Sequence, residues 1–222
     1  HADNTIEVVN PCYPAYATRI LYDHNGYDKV ILVEDDLARA IVDKLLRREK
    51  LLNNKLVHVL PCGGYTKVID LANDVITYNL LGKKTSISII LDGDIKDKAE
   101  RYRINQNIGN NIPLNYLPIE SLEKHLRNKL FLNVDHKLFR QLNDYIFQNR
   151  SLTELIDEYK KEVTDITSDK DGKKLFGIID TELKERRVDR SELITMIVEY
   201  LFEMQDASLN KLTAFLKKQM ES

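Results

Sequence analysis

Between residues 29 and 117, short unbroken apolar runs alternate with longer segments whose apolar residues recur at helical spacing. Lys29–Val33 (KVILV) is the first run. It lacks polar alternation, which predicts a strand buried on both faces. Leu37, Ile41, Leu45 and Leu52 then fall on one face and predict a helix over Leu37–Leu52. Leu56–Leu60 (LVHVL) predicts a second strand, closed by Pro61-Cys62-Gly63-Gly64. Val68–Leu81 predicts a second helix, stopped at Gly82. Ile87–Leu91 (ISIIL) predicts a third strand, and Ile112–Leu117 a fourth with Pro113 inside it. Strands alternating with helices imply βαβ units and a mostly parallel sheet with helices on its faces.

After Pro118 the strand signal ends. Helical spacing predicts helices over Glu120–Asn128, His136–Gln148, Leu152–Val163, Lys173–Arg186, Ser191–Met204 and Ser208–Met220. Ser151 with Glu154, and Ser191, suit helix N-caps. Near the front, Ile6–Val9 reads as a short strand and Tyr13–Asp23 as a helix stopped at His24-Asn25-Gly26. The expected organisation is a leader over 1–25, an α/β core over 26–130 and an α-helical extension over 131–222. No internal repeat or low-complexity tract is visible.

Composition narrows the class. With 222 residues and 43% hydrophobic content the chain can bury a substantial core, and 31% charged residues favour solubility. No stretch reaches the roughly 18 apolar residues of a membrane span, and no secretory leader is evident, so a cytoplasmic setting is expected. Cys12 and Cys62 form no zinc-like cluster, which fits a reducing compartment. The chain opens on His1 rather than Met, which reads either as a remnant of an added segment or as the start of an excised fragment. A net charge of −2 does not advertise nucleic-acid binding, but a local basic face can still hold phosphates. Lys96, Lys98, Arg101 and Arg103 are candidates for such a face, on what reads as a solvated loop. Gly82-Lys83-Lys84-Thr85 resembles the end of a phosphate loop, but Thr77 stands where its first glycine belongs.

The chemistry-bearing pattern is acidic. Glu34 directly follows the first strand, and Asp92 and Asp94 directly follow the third. Ligand sites in open parallel sheets lie beyond the carboxyl ends of the strands. Three carboxylates are therefore expected at one sheet edge. Carboxylates without His or Cys suit Mg²⁺ or Mn²⁺. Taken singly, each acid could equally be a turn former or a helix cap.

LVEDD at 32–36 followed by ILDGD at 90–94 resembles the Toprim pattern, a glutamate after strand one and a DxD after strand three. PCGGYTKVIDL at 61–71 resembles the glycine-pair loop and following helix of one Toprim branch, the OLD (overcoming lysogenization defect) family. PIESLEKHL at 118–126 is similar to that family's serine-x-glutamate element at Ser121 and Glu123, and DGKKLFGIID at 171–180 offers Lys173 or Lys174 for its downstream lysine. The resemblance implies a divalent-metal-dependent DNA endonuclease with two ions. Glu34, Asp92 and Asp94 would hold the first. Glu123, with Ser121 and with Asp35 or Asp36, would serve the second. Lys173 or Lys174 would stabilise phosphate charge. It further implies DNA as partner, an ATPase domain or subunit outside this chain, and a role in phage defence or DNA repair; homo-oligomerisation stays open. One departure stands out. Ala38 occupies the place of the family's second acid, so Asp35 or Asp36 must substitute, unless Asp36 caps the helix starting at Leu37.

Two other readings stay open. LVEDD with ILDGD also resembles a receiver domain, in which Asp35 and Asp36 would hold Mg²⁺ and Asp92 would accept a phosphoryl group. The long helical tail and the missing lysine-proline pair count against it. The third reading is a degenerate Toprim that binds nucleic acid or a partner without cutting.

Overall fold

The computed structural model describes residues 27–221 apart from 53–54, 83–84, 110–111, 113, 119–120, 133–136, 146, 148–150, 164–171 and 204–206. The expected leader, its strand and its helix lie outside the described residues. Four strands form one all-parallel sheet: β1 (Lys29–Val33), β2 (Val57–Pro61), β3 (Ser86–Leu91) and β4 (Leu114–Tyr116), in the order β2-β1-β3-β4. β1 is buried along its whole length, as its unbroken apolar run requires. Its residues face two cores in alternation. Ile31 and Val33 join one apolar cluster, Val30 and Leu32 another. At about 1.5–3 kcal/mol per buried aliphatic side chain, this strand is a main anchor of the fold.

Helix α1 (Asp36–Arg48) covers one face, while α2 (Tyr65–Thr77) and α3 (Lys96–Asn105) cover the other. α3 corrects an expectation, because the basic stretch after the DxD is a helix and not a loop. Ala99 is its one buried side chain, so no apolar stripe announces it. Lysine, alanine, glutamate and arginine, all good helix formers, carry it instead.

Beyond β4 come α4 (Leu122–Leu126) with a π-helical turn at Arg127–Phe131, then α5 (Lys137–Tyr145), α6 (Leu152–Glu162), α7 (Lys173–Arg186), α8 (Arg190–Glu203) and α9 (Ala207–Glu221). Ser151 and Glu154 form the expected capping box of α6. Ser191 is not a cap; its N–H donates to Asp189 Oδ1 at 2.9 Å. One apolar cluster runs from Ile31 and Val33 through α1 to Leu212, Leu216 and Met220 of α9, so the extension packs directly on the sheet's α1 face. Lys29 Nζ donates to the Gln219 carbonyl, and Lys55 Nζ donates to the Met220 carbonyl at 2.9 Å. Two lysines beside the start of the sheet thus cap the negative end of α9. Among the described residues, no helix is long and apolar enough to cross a membrane.

Candidate functional site

The strand order creates the site. β1 lies between β2 and β3, so the chain leaves β1 toward one side for β2 and returns on the other for β3. The crevice between the carboxyl ends of β1 and β3 is the topological switch point of such a sheet. Glu34 and Asp92 are the first residues past those two ends. They touch: the Asp92 N–H donates to Glu34 Oε1 at 2.9 Å. The loop after β2 holds Glu34 from behind. Gly63 and Gly64 donate their N–H groups to the Glu34 carbonyl at 2.7 and 3.1 Å. Both glycines have positive φ (87° and 115°), a backbone region that other L-residues rarely adopt. The glycine pair therefore serves to fix the Glu34 main chain.

β4 delivers the next element to the same edge. The Leu117 N–H donates to the Leu91 carbonyl at 2.7 Å, directly beside Asp92. Ser121 then caps α4, its Oγ accepting from the Lys124 N–H at 3.3 Å and donating to Glu123 Oε2 at 3.2 Å. Glu123 is buried at 6% exposure, comparable to Glu34 (9%) and Asp92 (7%).

The remaining acids separate. Asp35 is half-buried, and its Oδ1 accepts from the Ala38 N–H at 2.8 Å. It is Asp35, not Asp36, that caps α1, which begins at Asp36 and not Leu37. Asp36 is exposed, 3.7 Å from Arg39. Asp94 is exposed in a short 3₁₀ turn, within electrostatic reach of Asp92. Ala38 is buried in the core shared with the helical extension. The two lysines also part company. Lys173 acts on Glu34 and Glu123, lowering the pKa of each. Lys174 lines a cavity of about 470 Å³ with Glu158, Glu162 and Glu182, between α6 and α7.

The electrostatics follow from burial. Desolvation, then the charges of Glu34, Glu123, Asp35 and Asp94, push Asp92 up to about 8. Glu34 is raised by burial against the pull of the Asp92 N–H and of Lys173, while Asp35 and Asp94 add to the rise. Glu123 is raised by burial and by Asp35, and held back in part by Lys173 and Ser121. Among the described residues, no three His, Cys, Asp or Glu side chains are closed around one point as ligands. Instead Glu34 and Glu123 turn oxygens toward protein donors. The donor set is all oxygen, mutually repelling and desolvated, which fits a hard divalent cation.

His58 lies exposed on edge strand β2, stacked on Tyr27 with ring centroids 5.0 Å apart. Arg103 is engaged with Glu100 at 2.6 Å, and Lys96 lies 5.9 Å from the Tyr116 ring centre. Lys98 and Arg101 are exposed on α3. Two features went unassigned in the sequence: the N–H donors behind Glu34, whose visible signal is the glycine pair, and Gly172, whose signal is a glycine directly before the lysine pair.

No family model matches the chain, and no curated protein matches it. Among solved structures, the C-terminal region of the Burkholderia pseudomallei OLD protein is 10% identical and superposes with a TM-score of 0.52, covering 87% of this chain and 98% of that one. The C-terminal region of the Xanthomonas campestris pv. campestris OLD protein is 13% identical over 91% of this chain and 96% of that one, with a TM-score of 0.49. The Burkholderia match spans nearly all of its own chain, so it takes in the helical extension as well as the sheet. The chain has the fold of the C-terminal region of an OLD protein.

Proposed function

We propose that the chain is the nuclease region of an OLD-family protein and hydrolyses DNA phosphodiester bonds with Mg²⁺ or Mn²⁺. The observation that carries this reading is the burial of Glu34, Asp92 and Glu123, from three separate segments, at one sheet edge beside Lys173. Glu34, Asp92 and Asp94 would hold one ion. Glu123 and Ser121 would hold the second, with the Asp35 oxygen not spent on the helix cap. Such a pair would supply an activated water and charge stabilisation at the leaving oxygen. Glu34 keeps its carboxylate at the crevice because the glycine-pair N–H groups pin its backbone. Ser121 orients Glu123 by donating to one of its oxygens. Lys173 donates to a phosphate oxygen as charge develops there. An upstream ATPase domain or separate ATPase subunit completes the protein, and defence against phage or DNA repair is its setting.

Incubating supercoiled plasmid with the protein and either ion, followed by a gel, tests the reading. Nicked or linear product is expected with the parent and none with Asp92→Ala. Equal cutting by Asp92→Ala would place the chemistry elsewhere. A parent that binds the ions and cuts nothing would leave the degenerate Toprim reading.

A further inference from the structure

We propose that Gly172 is a positioning residue of this site: its bare α-carbon lets the start of α7 rest on the Glu123–Lys124 peptide, and that contact sets Lys173 against Glu123 and Glu34. The role assigned to Lys173 rests on the nuclease reading; the contact itself does not. A Cβ at position 172 would stand 2.6 Å from the Lys124 nitrogen, 2.7 Å from the Glu123 carbonyl carbon and 2.8 Å from the Lys124 Cα. All three are backbone atoms of α4, which cannot swing aside as a side chain can. The φ of Gly172 is +76°, so the position also favours glycine through its backbone conformation. The peptide it touches is the one whose N–H Ser121 caps. A displaced Lys124 nitrogen would disturb that cap, and with it the Ser121 hydroxyl that donates to Glu123. One backbone contact therefore sets both the Glu123 carboxylate and the next residue along, Lys173. Gly177, five residues further on and inside α7, has open space where its Cβ would be, so the crowding at Gly172 is not shared by the helix's own glycine.

The test compares Gly172→Ala, Lys173→Ala, their double variant and Gly177→Ala. The activity-independent readout is the Lys173 ε-carbon signal in a ¹³C-lysine spectrum, identified by its loss in Lys173→Arg. In the otherwise native chain that signal should move when Glu123 is changed to Gln. In the Gly172→Ala background the same change should leave it where it is. Cleavage should fall about a hundredfold in Gly172→Ala, as in Lys173→Ala, through kcat and not KM, with no further loss in the double variant. Gly177→Ala should match the parent in both readouts. A Lys173 signal indifferent to Glu123→Gln in the native chain overturns the proposal. So does full activity in Gly172→Ala, or losses that add in the double variant. Gly172→Asn, which tolerates positive φ but keeps the Cβ clash, serves if the alanine variant does not fold. Failure of both to fold assigns Gly172 to the folding of α7 and also overturns the proposal. A parent that cuts nothing while the spectral coupling behaves as expected sinks the nuclease reading alone.

Discussion

Replacing Asp92 by asparagine keeps the shape of the side chain and removes its charge. Asp92 is raised from an ordinary carboxylate value to about 8 by burial and by four neighbouring acids. A group held more tightly protonated in the folded state than in the unfolded one gives stability that is complete at low pH. That stability is lost as pH climbs through the folded value. In the metal-free protein the loss should therefore run from about pH 4 to about pH 8 and level off above it. At 1.36 kcal/mol per unit, the full shift from 3.8 to about 8 corresponds to a ceiling of about 6 kcal/mol. The observed loss should be smaller. Glu34 and Glu123 are raised as well, and protons redistribute over the cluster as it charges.

The assay is urea unfolding without metal across that range. The parent should lose stability steadily as pH rises, and Asp92→Asn should show a much shallower slope. At the alkaline end the variant should be the more stable protein. Saturating Mn²⁺ should flatten the parent's slope, because the cation binds the deprotonated cluster, and should help the variant far less. Parallel slopes for parent and variant without metal would refute the reasoning, since they would mean that Asp92 ionises as freely folded as unfolded.

Three further outcomes follow from the site. Lys173→Ala should cost about a hundredfold in cleavage, whereas Lys174→Ala, whose side chain faces a different cavity, should cost little, as the kinetics of supercoiled-plasmid nicking would show. Asp35→Asn should keep the helix cap, because asparagine caps as well as aspartate, yet reduce activity and raise the Mn²⁺ requirement; Asp36→Ala should change neither, and equal effects of the two in metal titrations would remove Asp35 from the ion site. A small phosphodonor with Mg²⁺ should leave Asp92 unmodified by mass spectrometry, and an adduct there would favour the receiver reading.

The strands were legible as short apolar runs and the longest helices by their period, because burial set both patterns. β1 lies in the interior on both faces, so Val30 to Val33 are all apolar, and Lys29 at its start is buried with its Nζ on the Gln219 carbonyl. α7 runs from Lys173 to Arg186 as its spacing predicts. α3 was illegible for the opposite reason, having one buried residue and so no stripe to read. The π-helical turn at Arg127–Phe131 shifts register by one residue, and spacing arguments assume a constant turn. Ambiguities of one residue also defeat a linear reading. On paper Asp36 reads as the cap and either Asp35 or Asp36 as a spare ligand, and Lys173 and Lys174 are equally good lysines. Adjacent helical residues point about 100° apart, so only the packing of α7 on α4 decides which lysine meets the acids.

Burial also separates the functional reading of the acids from the bland one. A turn former or a cap needs one local hydrogen bond and can keep its charge in water. Asp36 fits that description, exposed and beside Arg39. Glu34, Asp92 and Glu123 do not, because each is under a tenth exposed and each is raised by its desolvation. Burying three mutually repelling carboxylates destabilises a fold unless protons or cations compensate. Lys173 lowers Glu34 and Glu123, but burial outweighs it at both. The apolar cluster that runs from the sheet through the helical extension offsets that cost. The extension thus does two things for the site: it helps stabilise a core that can carry the buried charge, and through α7 it brings in the lysine.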